Sequence, residues 1–140
     1  MDQDKIKGIL EEATSNLLKN QPNIFRFTSA THQTEWNLAH HYAIEVHKLF
    51  PDYDCDFDIS KPNLGDRRPD IVIHERGTHD RNFLVIEVKR DQRDVPADMN
   101  KIQSFWFDPS LHYEFGAVVV INEEEVPSVT FIRNDQRQHA

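Results

Sequence analysis

Arg68-Pro69-Asp70-Ile71-Val72-Ile73-His74 and Phe83-Leu84-Val85-Ile86-Glu87-Val88-Lys89 are the two stretches whose reading decides the fold. Each is an apolar run rich in β-branched residues, with its acidic residue at one end, and the two read as strands of one hairpin. Side chains two apart share a strand face, so Asp70, Val72 and His74 point one way, and Val85, Glu87 and Lys89 share a face of the second strand. An antiparallel register that pairs Val72 with Val85 also sets Asp70 opposite Glu87, with Cβ atoms about 4.5–5.5 Å apart. Two carboxylates at that separation repel unless a cation lies between them. A hard divalent cation such as Mg²⁺ suits such oxygen ligands. Lys89, one pleat further on, is placed to orient or help deprotonate a metal-bound water and to offset charge on a phosphate. Pro-Asp and Glu-Xaa-Lys are each common alone, and an ordinary hairpin with solvated ends is the plain alternative. The specificity comes from finding both, 17 residues apart and in matching register.

Working outward, Ile6, Ile9, Leu10, Ala13, Leu17 and Leu18 recur at helical spacing, which predicts a helix over 4–19 with Asp2 or Asp4 as cap. A second helix is expected from Glu35 to Phe50, with Thr34 as N-cap and Pro51 as its stop. Residues 53–59 alternate between apolar and acidic, the pattern of a half-buried strand whose Asp54, Asp56 and Asp58 form one solvated face. Of these, Asp58 is the one expected to approach the site. Lys61–Asp66 is a turn-rich connection. A third helix is expected over Pro96–Phe107, with Met99, Ile102 and Trp106 as its stripe. Phe115–Ile121 reads as a strand covered on both faces, and Val129–Ile132 as a last strand. The order is α-α-β-β-β-α-β-β, an α/β domain with a central mixed sheet flanked by helices.

Glu35 carries a second signal. At about 100° per residue, Ala39, Tyr42, Val46, Leu49 and Phe50 fall within about 60° of it. A first-turn carboxylate gains from the helix dipole, but such a residue normally faces solvent. Its position on the apolar face points it toward the metal at the sheet edge instead.

These residues resemble the PD-(D/E)xK nuclease superfamily, whose core is a helix, a three-stranded meander, a second helix and a further strand. Pro69-Asp70 and Glu87-Val88-Lys89 match its signature, and Glu35 matches the acidic residue often found on the first core helix. The resemblance covers about residues 31–121 and leaves the helix at 4–19 outside the common core, for dimerisation or substrate contact. It implies a restriction-endonuclease-like fold and a nuclease hydrolysing phosphodiester bonds of nucleic acid, DNA being the first expectation, through a water activated by Mg²⁺ or Mn²⁺. It further implies that Asp70 and Glu87 bind the metal, with the Val88 carbonyl as third ligand and Glu35 as an auxiliary ligand, and that Lys89 is the catalytic lysine. Lys101 or Gln103 would supply a polar residue from the following helix. Arg68 and Arg90 flank the motif as candidate substrate contacts.

Composition bounds these expectations. A chain of 140 residues makes one domain and buries roughly two-thirds of its unfolded surface. A single cysteine, Cys55, excludes an internal disulfide, and neither a signal segment nor a membrane-length apolar run is found, so a cytoplasmic protein is expected. The net charge of −8 opposes general nucleic-acid binding, yet residues 61–101 hold 9 Lys/Arg against 8 Asp/Glu, so the motif region escapes the acidity. His40 and His47 are two turns apart, too far for an i, i+4 zinc pair. Tyr42, Trp36, Phe105 and Trp106 suit a core better than base stacking. Duplex cleavage by so small a chain favours a homodimer. The competing class is a catalytically silent nuclease-fold module, a subunit or inhibitor in a DNA-processing or defence system.

Overall fold

A computed structural model describes residues 2–26, 34–58 and 70–135. Arg68, Pro69 and the connection at 61–66 lie outside the described residues. The helices are α1 (Gln3–Asn20), α2 (Thr34–Leu49) and α3 (Val95–Lys101). The strands are β1 (Asp54–Asp58), β2 (Asp70–His74), β3 (Leu84–Lys89), β4 (Phe115–Val120) and β5 (Ser128–Arg133). The elements follow the expected order.

The strands form one sheet in the order β1-β2-β3-β4-β5. Neighbours are antiparallel except β3 and β4, which run parallel. A parallel pair needs a crossover rather than a tight turn, and the segment containing α3 supplies it. The β2–β3 hairpin pairs Val72 with Val85 and Ile71 with Ile86, the register the alternation anticipates.

That register sorts the core into two layers. Ile71, Ile73, Leu84, Ile86, Val88, Ala117 and Val119 pack with Ile6, Leu10 and Leu17 of α1 and Leu38, Tyr42 and Val46 of α2. On the other face Val72, Val85, Val118 and Val120 lie with Val95, Ile102, Trp106 and Tyr113 of the crossover. Every residue of β3 and β4 is buried, as befits strands covered on both sides.

Helix α1 belongs to the first layer. Asp2 caps it by accepting from the Lys5 amide at 2.8 Å, and the buried Tyr42 hydroxyl donates to the Leu10 carbonyl at 2.8 Å. Its apolar stripe of Ile6, Leu10, Ala13 and Leu17 is covered by this chain, so α1 is part of the core.

Two helices differ from expectation. In α2, Thr34 is the first helical residue, and the buried set is Thr34, Leu38, Ala39, Tyr42, Glu45 and Val46. That set is rotated by roughly 30° from the stripe centred on Glu35. The crossover helix starts one residue earlier than expected, at Val95, after a 3-10 turn over Gln92–Asp94. Beyond Lys101 it widens into a π turn over Ile102–Trp106, closed by the Phe107 amide on the Ile102 carbonyl at 3.0 Å. Gly116 of β4 admits that turn, since a Cβ there would stand 2.5 Å from Cγ2 of Ile102. No helix among the described residues is long and apolar enough to cross a membrane.

Candidate active site

The last β2–β3 pair is Ile71 with Ile86, which leaves Asp70 and Glu87 as the next residues beyond the end of that ladder. On the other side Asp70 pairs with Asp58 of β1, so Asp58 is the member of the β1 acidic row that reaches the site. Asp70, Glu87 and Lys89 lie on the face covered by the crossover. They are 1 %, 3 % and 2 % exposed. Charged residues are almost never buried to this degree unless paired.

The pairing comes from the crossover. Lys89 Nζ lies 3.1 Å from Oε1 of Glu87 and 3.4 Å from Oδ2 of Asp98, whose side chain is 2 % exposed. Lys101, one helical turn beyond Asp98, approaches its Oδ1 at 3.6 Å. Burial first, and the Glu87 charge second, hold the Asp98 carboxyl above its ordinary pKa, against the pull of the two lysines. Trp106 donates its indole N–H to Oδ2 of Asp70 at 3.1 Å, both groups being buried. The π turn carries this indole. One-turn π bulges recur at functional sites, because the extra residue re-aims the side chains that follow.

Asp98 and Trp106 were not among the expected site residues. Asp98 left a trace in the sequence: Val95, Asp98 and Ile102 are spaced i, i+3, i+7, so a carboxylate interrupts a buried stripe. Trp106 read as core, and it is core as well as donor.

The other expected residues are distributed as follows. Val88 turns its side chain into the opposite layer, leaving its backbone carbonyl for the role the resemblance implies. Glu35 opens α2 and is half-buried; the buried carboxylate of α2 is Glu45, held by Asn20 at 3.0 Å and Lys48 at 3.2 Å. Helix α2 leads through a short turn into β1 and lies on the sheet layer opposite the Asp70 face. Gln103 is exposed. Among the described residues no three His, Cys, Asp or Glu side chains stand close enough to form a metal cage.

Among the described residues, several of the region's arginines are paired with carboxylates. Arg76 donates twice to Asp56, at 2.9 and 2.6 Å, while His74 Nε2 contacts Asp56 at 2.7 Å. The Arg76 hydrogen bonds, with His74 assisting, pull the Asp56 carboxyl down to about 2. The β1 acidic row is thus engaged by β2 and its turn rather than simply solvated. Arg90 donates to Glu123 at 2.9 Å, and Arg93 clasps Asp91. These four residues line an open groove with Gln92, Asn122, Glu124 and Glu125.

Donor chemistry fits a hard divalent cation. Mg²⁺ is commonly held by one or two carboxylates and completes its shell with water and phosphate oxygens, so it needs no all-protein cage. Asp70 and Glu87 supply that pair. Among the described residues, the buried carboxylates of Asp70, Glu87 and Asp98 gather around the buried Lys89 ammonium, with Lys101 at the rim. No known protein family, curated protein or solved structure matches this chain.

Proposed function

We propose that this chain is a divalent-metal-dependent nuclease that hydrolyses phosphodiester bonds, with DNA as the preferred substrate. The observation that carries the reading is the convergence of Asp70, Glu87 and Lys89 on one sheet face, each almost wholly buried. A structural hairpin has no use for two carboxylates and an ammonium in its interior, where desolvation costs several kcal/mol per ion. The element order and the mixed sheet agree with a restriction-endonuclease-like core.

Asp70 and Glu87 would hold Mg²⁺ or Mn²⁺, with the Val88 carbonyl as third ligand and Glu35 as an outer contact. Such an ion supplies Lewis-acid polarisation of the phosphate and a lowered pKa for water. The chain's own residues do the rest. Trp106 fixes the rotation of the Asp70 carboxylate. Lys89 offsets the negative charge that grows on the phosphate in the transition state, in a site dry enough for that charge to matter. A homodimer would widen the surface offered to duplex DNA.

The compensated arginines favour a second reading, a nuclease-fold module that binds a partner without cutting. One comparison separates the two. Wild type and Lys89→Ala are incubated with single-stranded, duplex and branched DNA in Mg²⁺, Mn²⁺ or chelator. Metal-dependent cleavage by wild type, reduced at least a hundredfold in the variant, is expected. Equal cleavage by both proteins would assign the activity to a contaminant. No cleavage, joined to no heat of Mg²⁺ binding, would leave the silent module.

A further inference from the structure

Lys89 has two buried carboxylates within reach where charge pairing requires one. Its Nζ lies 3.1 Å from Glu87 and 3.4 Å from Asp98. The shorter contact is to the residue proposed as a metal ligand, and that creates a conflict. A divalent cation and an ammonium cannot share one carboxylate oxygen without strong repulsion at low dielectric. For the metal to take Oε1 of Glu87, the ammonium has to leave that oxygen. Unless another carboxylate receives it, the ammonium would stay against the cation, and that repulsion would weaken metal binding.

Asp98 removes the conflict. Among the described residues its buried Oδ2 has no well-aligned hydrogen bond, only the 3.4 Å ion contact with Lys89. A small shift of Nζ would turn that contact into a charge-assisted hydrogen bond, which is shorter and stronger. Helix α3 places Asp98 above the end of β3, and Lys101 anchors its other oxygen at 3.6 Å. We infer that Asp98 is a positioning residue that receives the Lys89 ammonium when a divalent cation takes Glu87, so that metal binding and the placement of the lysine are one coupled event. This rests on the metal-dependent reading of the site and adds to it the residue that makes an intact Glu87–Lys89 pair compatible with a bound cation.

The test reads metal binding rather than cleavage. Mg²⁺ alone is titrated calorimetrically into wild type, Asp98→Asn and Asp98→Glu, each checked by thermal unfolding without metal. Asp98→Asn should unfold within about 4 °C of wild type, since Glu87 still pairs Lys89, yet bind Mg²⁺ at least tenfold more weakly. Asp98→Glu restores the charge and should recover part of that loss. Unchanged affinity in Asp98→Asn overturns the inference, as does an Asp98→Glu no better than Asp98→Asn, because packing would then explain the loss. Absence of Mg²⁺ binding by wild type sinks the metal reading itself, and this inference with it. Should Asp98→Asn fail to fold, the ζ-¹⁵N lysine spectrum of wild type decides. The buried, slowly exchanging ammonium should shift saturably with Mg²⁺, and an unmoved resonance overturns the proposal.

Discussion

Lys89 is the residue on which the site's electrostatics turn, because its ammonium compensates Glu87 and Asp98 together. Replacing it with Met keeps much of the volume and removes the charge, taking the 3.1 Å ion pair from buried Glu87 and leaving Asp98 its contact with Lys101. Breaking a buried pair in this way costs about 3–5 kcal/mol near neutral pH. The pH dependence has a definite sign. Burial raises the Asp98 carboxyl above its ordinary 3.8, so the fold binds that proton more tightly than the unfolded chain does. The corresponding stability is complete below the unfolded value and is lost as pH rises through the raised one. Losing the Lys89 charge lifts Asp98 further. Urea unfolding should therefore show a Lys89→Met deficit that shrinks as the pH is lowered from neutral, and a deficit independent of pH would refute the account. Asp56 has the opposite sign, because Arg76 and His74 draw it down to about 2. Its contribution is present above 3.8 and disappears as pH falls through about 2. With the guanidinium exposed and screened, Asp56→Asn should cost under about 1 kcal/mol at neutral pH and less in high salt. Trp106→Phe removes the donor to Asp70 and should cost about 1.5–3 kcal/mol in the same measurement.

At the scale of elements, strand period is easier to read than helix phase. A strand repeats every two residues, and a one-residue slip would have moved Asp70 and Glu87 to the wrong face, so the Val72–Val85 register was legible from the alternation alone. Helix phase depends on what packs nearby. Glu35 fell at the centre of the α2 stripe by composition, yet the stripe is rotated because Glu45 can be buried once Asn20 and Lys48 satisfy it. Nothing local to α2 announces Asn20. The crossover was harder still: the Met99, Ile102 and Trp106 stripe does pack into the core across the π turn, and a carboxylate at Asp98 beside that stripe reads as its solvent edge. That turn lies on Gly116, where an added Cβ meets the branched Cγ2 of Ile102 at 2.5 Å. Gly116→Ala should therefore destabilise by about 1–3 kcal/mol despite the lower entropy of an Ala chain. In an Ile102→Ala background the offending methyl is gone, and the same substitution should cost markedly less. Additive penalties in that double-mutant cycle would rule out the close approach as their cause.

At the scale of the whole molecule, the two layers have different tasks. The crossover layer holds the charged cluster, and the layer of α1 and α2 supplies most of the apolar core that holds the sheet rigid beneath it. Carrying buried charges is destabilising, so a site of this kind depends on stability gained elsewhere. Helix α1 contributes Ile6, Leu10, Ala13 and Leu17, all fully buried, and its Leu10 carbonyl receives the Tyr42 hydroxyl. The three large side chains alone are worth about 1.5–3 kcal/mol each, a sum comparable with the whole stability of an ordinary domain, about 5–15 kcal/mol. Removing α1 would also leave the Tyr42 hydroxyl without its acceptor and expose an apolar face of α2. A chain starting at Pro22 should accordingly lose its cooperative thermal transition and its dispersed amide spectrum, even though it retains every residue of the proposed metal site. A helix serving only as a dimerisation arm or substrate contact would behave differently, leaving a folded monomer with a sharp melt and an intact Mg²⁺ isotherm. Calorimetric unfolding of the shortened chain, with sedimentation to fix its mass in solution, distinguishes the two outcomes.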